Sequence, residues 1–220
     1  MALHIAIDGP AGAGKSTIAK AVAERLSIPY LDTGAMYRTL ALFALRNGVS
    51  PQDGAGVGEL LPKADIRIVY ENNVQHMLLN GEDVTASIRT PEVSRGASDI
   101  GVHPPVREKL VGLQQQVARD GDIVMDGRDI GTVVMPAAEY KFFVTASASE
   151  RAIRRCREME LRGETPPAIE EMENTILSRD HTDSTRACGP LRQVEDALLI
   201  DTSGLTIEES VRRVLDAIQR

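Results

Sequence analysis

No part of the 220-residue chain holds the roughly 18 consecutive apolar residues that a membrane-crossing helix requires. The start also lacks a basic segment followed by a long apolar one, so neither a membrane nor a secreted protein is indicated and a cytoplasmic one is expected. Cysteine is almost missing. Cys156 and Cys188 stand far apart without C-x-x-C spacing, which excludes a disulfide framework or zinc ribbon and fits two reduced thiols. The four histidines, His4, His76, His103 and His181, contain no i, i+4 pair, so a helical metal site has no basis. Positive charge is in deficit: 25 Lys and Arg face 32 Asp and Glu, for a net charge of −7. A general nucleic-acid binder neutralises many phosphates with a basic face, and this chain does not have the charge for that. An Asn-Lys-x-Asp guanine motif is absent too, which speaks against a GTP-dependent switch.

What the chain does have is arginine in clusters. Twenty of the basic residues are Arg and five are Lys, with Arg crowded between Arg151 and Arg162 and again at Arg179, Arg186 and Arg192. A guanidinium is a planar fork that grips phosphate bidentately, so an acidic protein with clustered Arg suits small phosphorylated ligands. A bias of the genome toward Arg, Ala and Gly is the competing explanation.

The strongest local signal lies near the start. Gly9-Pro10-Ala11-Gly12-Ala13-Gly14-Lys15-Ser16-Thr17 follows the apolar run Leu3 to Ile7 and enters a helix-period segment, Ser16 to Leu26. Glycines let successive backbone N–H groups turn inward and approach a polyphosphate closely. Lys15 can then reach the outer phosphates, Ser16 can ligate Mg²⁺, and the helix start faces negative charge. The alternative is a Gly-rich turn with a solvated lysine.

Five short apolar segments read as buried strands: Leu3 to Asp8, Pro29 to Asp32, Ile123 to Asp126, Lys141 to Val144 and Ala197 to Asp201. Helix-period segments separate them, at Ser16 to Leu26, Gly34 to Asn47, Pro105 to Arg119, Ala148 to Arg162, Ala168 to Arg179 and Ile207 to Gln219, the last with a Thr206/Glu209 capping box. This alternation predicts an α/β fold: a parallel sheet covered by helices on both faces, with ligands at the carboxyl ends of the strands. Between about Ala64 and Val84 the pattern changes to alternating runs split by Asn72-Asn73 and Asn80-Gly81, which predicts a small antiparallel β insertion. Gly54, Gly56, Gly58 and Pro62 form its expected approach and Pro104-Pro105 its exit.

Polar groups gather at the predicted strand ends. Asp32 to Arg38 would set Thr33, Tyr37 and Arg38 opposite the phosphate loop, although Asp32 could simply cap the helix and Tyr37 could be core. Asp126-Gly127-Arg128-Asp129 follows the third strand, where an Mg²⁺-water shell would need an acidic neighbour. Arg38 and Arg128, emerging from buried strand ends, need anionic partners. Arg179, Asp183 and Arg186 share a face if their helix runs that far, and a solvated intrahelical ion pair explains the spacing equally well. Arg151, Arg154, Arg155 and Arg162 either lace a surface helix with salt bridges or belong to a mobile lid that closes over a transferring phosphoryl group.

With these residues assembled, the sequence resembles the bacterial cytidylate kinases, a branch of the nucleoside monophosphate kinases. The likeness rests on Asp8 to Thr17, Leu31 to Arg38, Ile88 to Val93, Val106 to Glu108, Asp126 to Val134, Arg179-Asp180 through Asp183 to Arg186, and Leu199 to Gly204. It implies a single kinase unit with a three-layer P-loop fold and sheet order 2-3-1-4-5. The core would be 1–60 and 105–220, the nucleotide-binding insertion about 61–104 and the lid about 156–168. By the same likeness, Gly9 to Thr17 would bind ATP phosphates, with Mg²⁺ on Ser16. Arg38 and Arg128 would hold the acceptor phosphate; Thr33, Ser98, Arg107 and Asp129 would face the cytosine ring; Arg179, Asp183 and Arg186 would reach the sugar and acceptor phosphate. Lys15, Arg128, Arg179 and Arg186 are the expected catalytic set. The implied reaction is phosphoryl transfer from ATP-Mg²⁺ to CMP or dCMP by a monomer that needs neither nucleic acid nor membrane. The acceptor phosphate is already ionised near neutrality, which fits a motif set without an evident general base.

Overall fold

A computed structural model describes residues 2–71 and 74–218. Eight strands and eight α-helices occur in the order β1 (His4–Asp8), α1 (Lys15–Leu26), β2 (Tyr30–Asp32), α2 (Thr33–Arg46), α3 (Gly54–Leu60), β3 (Ile66–Glu71), β4 (Val74–Leu79), β5 (Glu82–Asp83), α4 (Pro91–Ile100), α5 (Pro104–Arg119), β6 (Ile123–Gly127), β7 (Tyr140–Thr145), α6 (Ala148–Leu161), α7 (Ile169–Thr185), β8 (Leu198–Asp201) and α8 (Ile207–Ile218). The main sheet is parallel, in the order β2-β6-β1-β7-β8. Numbered among the five core strands alone, this is the expected 2-3-1-4-5.

The period-2 geometry of a strand divides its side chains between two apolar layers. Ile5, Ile7 and Val124 face one cluster with Ile18 and Val22 of α1 and Val211 and Val214 of α8. Ala6, Ile123 and Met125 face the other, with Met36 and Leu40 of α2 and Leu110 of α5. Helix starts follow local chemistry. Asp32 caps α2 through Ala35 N–H at 3.0 Å, two prolines open α5, and Thr206 and Glu209 cap α8 reciprocally.

The insertion departs from its reading as strands alone. β3, β4 and β5 form the antiparallel sheet, with Asn80 and Gly81 at φ 50° and 87° in the turn between β4 and β5; the Asn72-Asn73 turn lies outside the described residues. Two helices were not anticipated. The approach segment Gly54 to Leu60 is helical despite its glycines because Asp53 accepts from Gly56 N–H at 3.1 Å. The second is α4, which Thr90 caps through Val93 N–H at 3.3 Å with Pro91 in its first turn. Ile66, Met77, Leu79, Val84, Ile88 and Val93 join the same apolar cluster as α2 and α5. Helix α7 extends past Arg179 to Thr185.

Candidate active site

The phosphate loop leaves the carboxyl end of the central strand β1. Gly9, Gly12 and Gly14 adopt φ of 148°, 76° and 90°, and a Cβ on Gly9 would overlap the Val144 carbonyl. Three loop carbonyls are taken by the protein: Lys15 Nζ donates to Pro10 O at 2.7 Å, Arg151 to Ala11 O at 3.1 Å and Thr202 Oγ1 to Ala13 O at 3.1 Å. With its carbonyls held in this way, the loop can direct N–H groups at an anion. Lys15 is buried, and desolvation followed by the field of Arg128 lowers its pKa to about 7. Lys15 opens α1; Ser16 and Thr17 follow on its exposed side.

One carboxylate ties this loop to β6. Asp126 accepts from Ser16 Oγ at 2.9 Å and from Tyr30 OH at 2.5 Å, and its backbone carbonyl accepts from Thr33 Oγ1 at 2.7 Å. Burial, then the nearby Asp32 charge, pushes its pKa up. The neighbouring strand end carries Asp8, whose two oxygens accept from Ile130 and Gly131 N–H, each at 2.8 Å. These bonds fix the π-helical turn Ile130–Val134 that follows Arg128 and Asp129. Desolvation raises Asp8 to about 6 against the lowering effect of the two N–H groups.

Across from the loop, buried charges alternate in a chain. Arg107 pairs with Asp129; Asp129 lies 3.5 Å from Arg186; Arg186 lies 3.9 Å from Asp183; and Arg128 Nε donates to Asp183 at 2.7 Å. Three separate segments supply these five side chains: α5, the turn after β6 and the end of α7. Arg38 donates to Asp32 at 2.7 Å, while its Nε is buried without a partner. Arg179 makes no ion pair among the described residues; its Nε is also buried and unpartnered, and burial followed by Arg128 lowers its pKa to about 10. Ser98 Oγ on α4 is a third such orphan. Buried donors without acceptors are costly, so two orphaned guanidinium nitrogens beside a surplus of cations point to an anion that completes them.

Several expectations need correcting. The ion pair of Asp183 runs to Arg128 rather than along its own helix to Arg179, and Arg186 sits at the residue that ends α7 in extended backbone. On α6 the salt-bridged alternative is what four of the arginines show: Arg151 grips Asp180 at 2.6 Å and the loop carbonyl of Ala11, Arg154 holds Thr202 and Glu150, Arg155 meets Glu158, and Arg162, just past the helix end, meets Glu164. Arg151 is thus a buttress of the phosphate loop. Sequence reasoning did not single out Tyr30, Asp8 or Arg89, which lies 3.9 Å from Asp32. Tyr30 could have been found, since two residues along a strand from Asp32 put it on the same face. Cys156 and Cys188 are both free thiols. Among the described residues no helix is long and apolar enough to cross a membrane, and no cluster of three His, Cys, Asp or Glu side chains is arranged around a metal position.

The cytidylate kinase family profile matches residues 5–220. This chain belongs to the cytidylate kinase family. A cytidylate kinase of Carboxydothermus hydrogenoformans is 51% identical over 218 residues, covering 99% of this chain and 98% of that one. A cytidylate kinase of Bacillus subtilis is 47% identical over 218 residues, with coverage of 99% and 97%. Among solved structures, a gluconokinase from Sinorhizobium meliloti aligns with a TM-score of 0.53 at 14% identity over 99% of this chain and 92% of that one, a likeness of fold alone.

Proposed function

We infer that the protein transfers the γ-phosphoryl group of ATP to the phosphate oxygen of CMP and dCMP. The observation that carries this reading is the pair of buried, unpartnered guanidinium nitrogens, Arg38 Nε and Arg179 Nε, near a phosphate loop whose Lys15 feels the field of Arg128. A phosphate loop on one side and unsatisfied guanidinium groups on the other suit two anions brought face to face.

Gly9 to Thr17 cradle the ATP phosphates, with Lys15 against the outer ones. Mg²⁺ fits the oxygen set at the loop, where the Ser16 hydroxyl would ligate it and Asp126 would face its water shell, two hard donors without nitrogen or sulfur. When bound, the ion neutralises charge on the phosphoryl oxygens. Arg38 and Arg128 hold the acceptor phosphate, and Arg179 and Arg186 complete the cage around the transferring group; Asp183 keeps Arg128 and Arg186 aimed. The acceptor oxygen is already anionic at neutral pH, so positioning and charge neutralisation carry the rate. Thr33 and Ser98 line the acceptor pocket. Asp129 accepts from the cytosine amino group, and Arg107, fixed by Asp129 and by Tyr37 OH at 3.3 Å, donates to the ring acceptors. The segment 156–168 acts as the lid, 61–104 as the nucleotide-binding insertion, and 1–60 with 105–220 as the core of one unit acting as a monomer in the cytoplasm.

ADP release measured with CMP, dCMP, UMP and AMP as acceptors tests the reading. CMP and dCMP should be used best. Equal kcat/KM for CMP and UMP would remove Asp129 and Arg107 from base recognition, and no ADP with any monophosphate would reduce the protein to a nucleotide-binding module.

A further inference from the structure

Strand β2 is an edge of the main sheet, paired among the described residues only with β6. An edge strand leaves peptide N–H and C=O groups facing outward, and they need partners. Here the partners come from one rung of the insertion hairpin. Tyr70 of β3 and Gln75 of β4 are directly opposite each other in the antiparallel register. The Tyr70 hydroxyl donates to the Tyr30 carbonyl at 3.1 Å. The Gln75 amide engages both sides of one residue: its Oε1 accepts from Asp32 N–H at 2.7 Å, and its Nε2 donates to the Asp32 carbonyl at 3.3 Å. A single side-chain amide thus does the work of the missing neighbouring strand at Asp32.

Asp32 is also where the acceptor grip begins. Its carboxylate caps α2 and orients Arg38 at 2.7 Å. The insertion reaches Asp32 a second time, now at its carboxylate, through Arg89 at 3.9 Å. Arg38 keeps its Nε buried and unpartnered, so its guanidinium has one fixed side and one side waiting. Any displacement of the Asp32 backbone rotates the carboxylate and, with it, the arginine.

We propose that Gln75 is a positioning residue for the acceptor phosphate: by clamping the Asp32 backbone it sets the orientation of Arg38 and couples the insertion to the acceptor grip. The proposal rests on the phosphoryl-transfer reading. It does not depend on which base is recognised, because every monophosphate presents the same anion to Arg38.

Gln75→Ala removes both amide contacts, Gln75→Glu keeps the acceptor but sets a carboxylate against the Asp32 carbonyl, and Tyr70→Phe removes only the neighbouring bond to Tyr30. Loss of one hydrogen-bonded clamp should raise the KM of the acceptor monophosphate about fivefold to tenfold in both Gln75 variants, with the KM for ATP within about twofold of wild type. Tyr70→Phe should leave both KM values in place. If Gln75 served only to close the sheet edge, Tyr70→Phe and Gln75→Ala would act alike, or both KM values would rise together, and either result overturns the proposal. Exchange of the Asp32 amide hydrogen, followed by NMR without any substrate, reads the clamp directly. Faster exchange in Gln75→Ala but not in Tyr70→Phe supports it, and unchanged exchange in Gln75→Ala refutes it whatever the acceptor. Should the wild type use UMP in place of CMP, the base assignment fails while the same comparison is made with UMP.

Discussion

The two halves of the site hold anions by opposite means. The donor half is one continuous stretch, Gly9 to Thr17, whose conformation is set by glycines and by loop carbonyls bonded to Lys15, Arg151 and Thr202. The acceptor half has no such stretch. It is a chain of buried and half-buried side chains, Arg107, Asp129, Arg186, Asp183 and Arg128, with Arg38 and Arg179 left partly unsatisfied. A backbone cradle is indifferent to most distant substitutions, whereas a side-chain network fails when one member leaves, since a buried charge then loses its partner. The difference places robustness on the side that binds the common phosphate donor and sensitivity on the side that must tell acceptors apart.

The sharpest way to break this comparison is to remove Arg179 and Arg128 separately. Arg179→Met should lower kcat by about 10³, the scale of an arginine acting on a transferring phosphoryl group, with stability to urea unchanged or slightly raised because no described carboxylate loses a partner. Arg128→Met should lower turnover similarly and also cost about 3 kcal/mol of stability, because it strips Asp183 of its hydrogen-bonded cation. Equal destabilisation by the two variants would dissolve the distinction between network and surplus.

Asp8 stands on the seam between the halves, at the end of β1 and under the turn behind Asp129. Its folded pKa, about 6, exceeds the ordinary 3.8, so the native state holds its proton to higher pH than the unfolded chain. The stabilisation from that proton is complete below pH 3.8 and is lost as pH rises through 6. Relative to Asp8→Asn, the wild type should therefore lose up to about 3 kcal/mol in urea titrations between pH 4 and pH 7. A gap that stays constant with pH would contradict the assignment.

The smallest effect concerns the base. Wild type should prefer CMP to UMP by about tenfold or more, because a mismatched ring leaves a buried polar group unpaired at roughly 1–3 kcal/mol. Asp129→Asn should shrink that ratio in parallel kcat/KM measurements.

The donor half was legible in the sequence because its chemistry is local: strand, glycines, lysine and hydroxyl follow one another within a dozen residues. The five parallel strands were legible for a related reason, as short apolar runs at regular intervals. Helix α4 escaped notice although Thr90, Pro91 and Glu92 are start signals, because Ser94, Gly96 and Ser98 dilute its apolar stripe. The acceptor half offered residue types but not partners. Arg107 and Asp129, or Arg128 and Asp183, meet only after the sheet and α7 are in place, and spacing along the chain favoured a pairing of Arg179 with Asp183 that folding does not make. The Gln75 clamp belongs to the same class, since a glutamine in a hairpin carries no local mark of the strand edge it will close.

The placement of β1 at the centre of the sheet bears on how the chain is made. Its register partners begin at Ile123 on one side and Tyr140 on the other. A ribosome therefore releases the first strand, apolar on both faces, well over a hundred residues before either neighbour exists, an exposure that invites aggregation. Early docking of α1 on the nascent strand, or transient shelter by a chaperone, would cover that apolar surface until β6 is made.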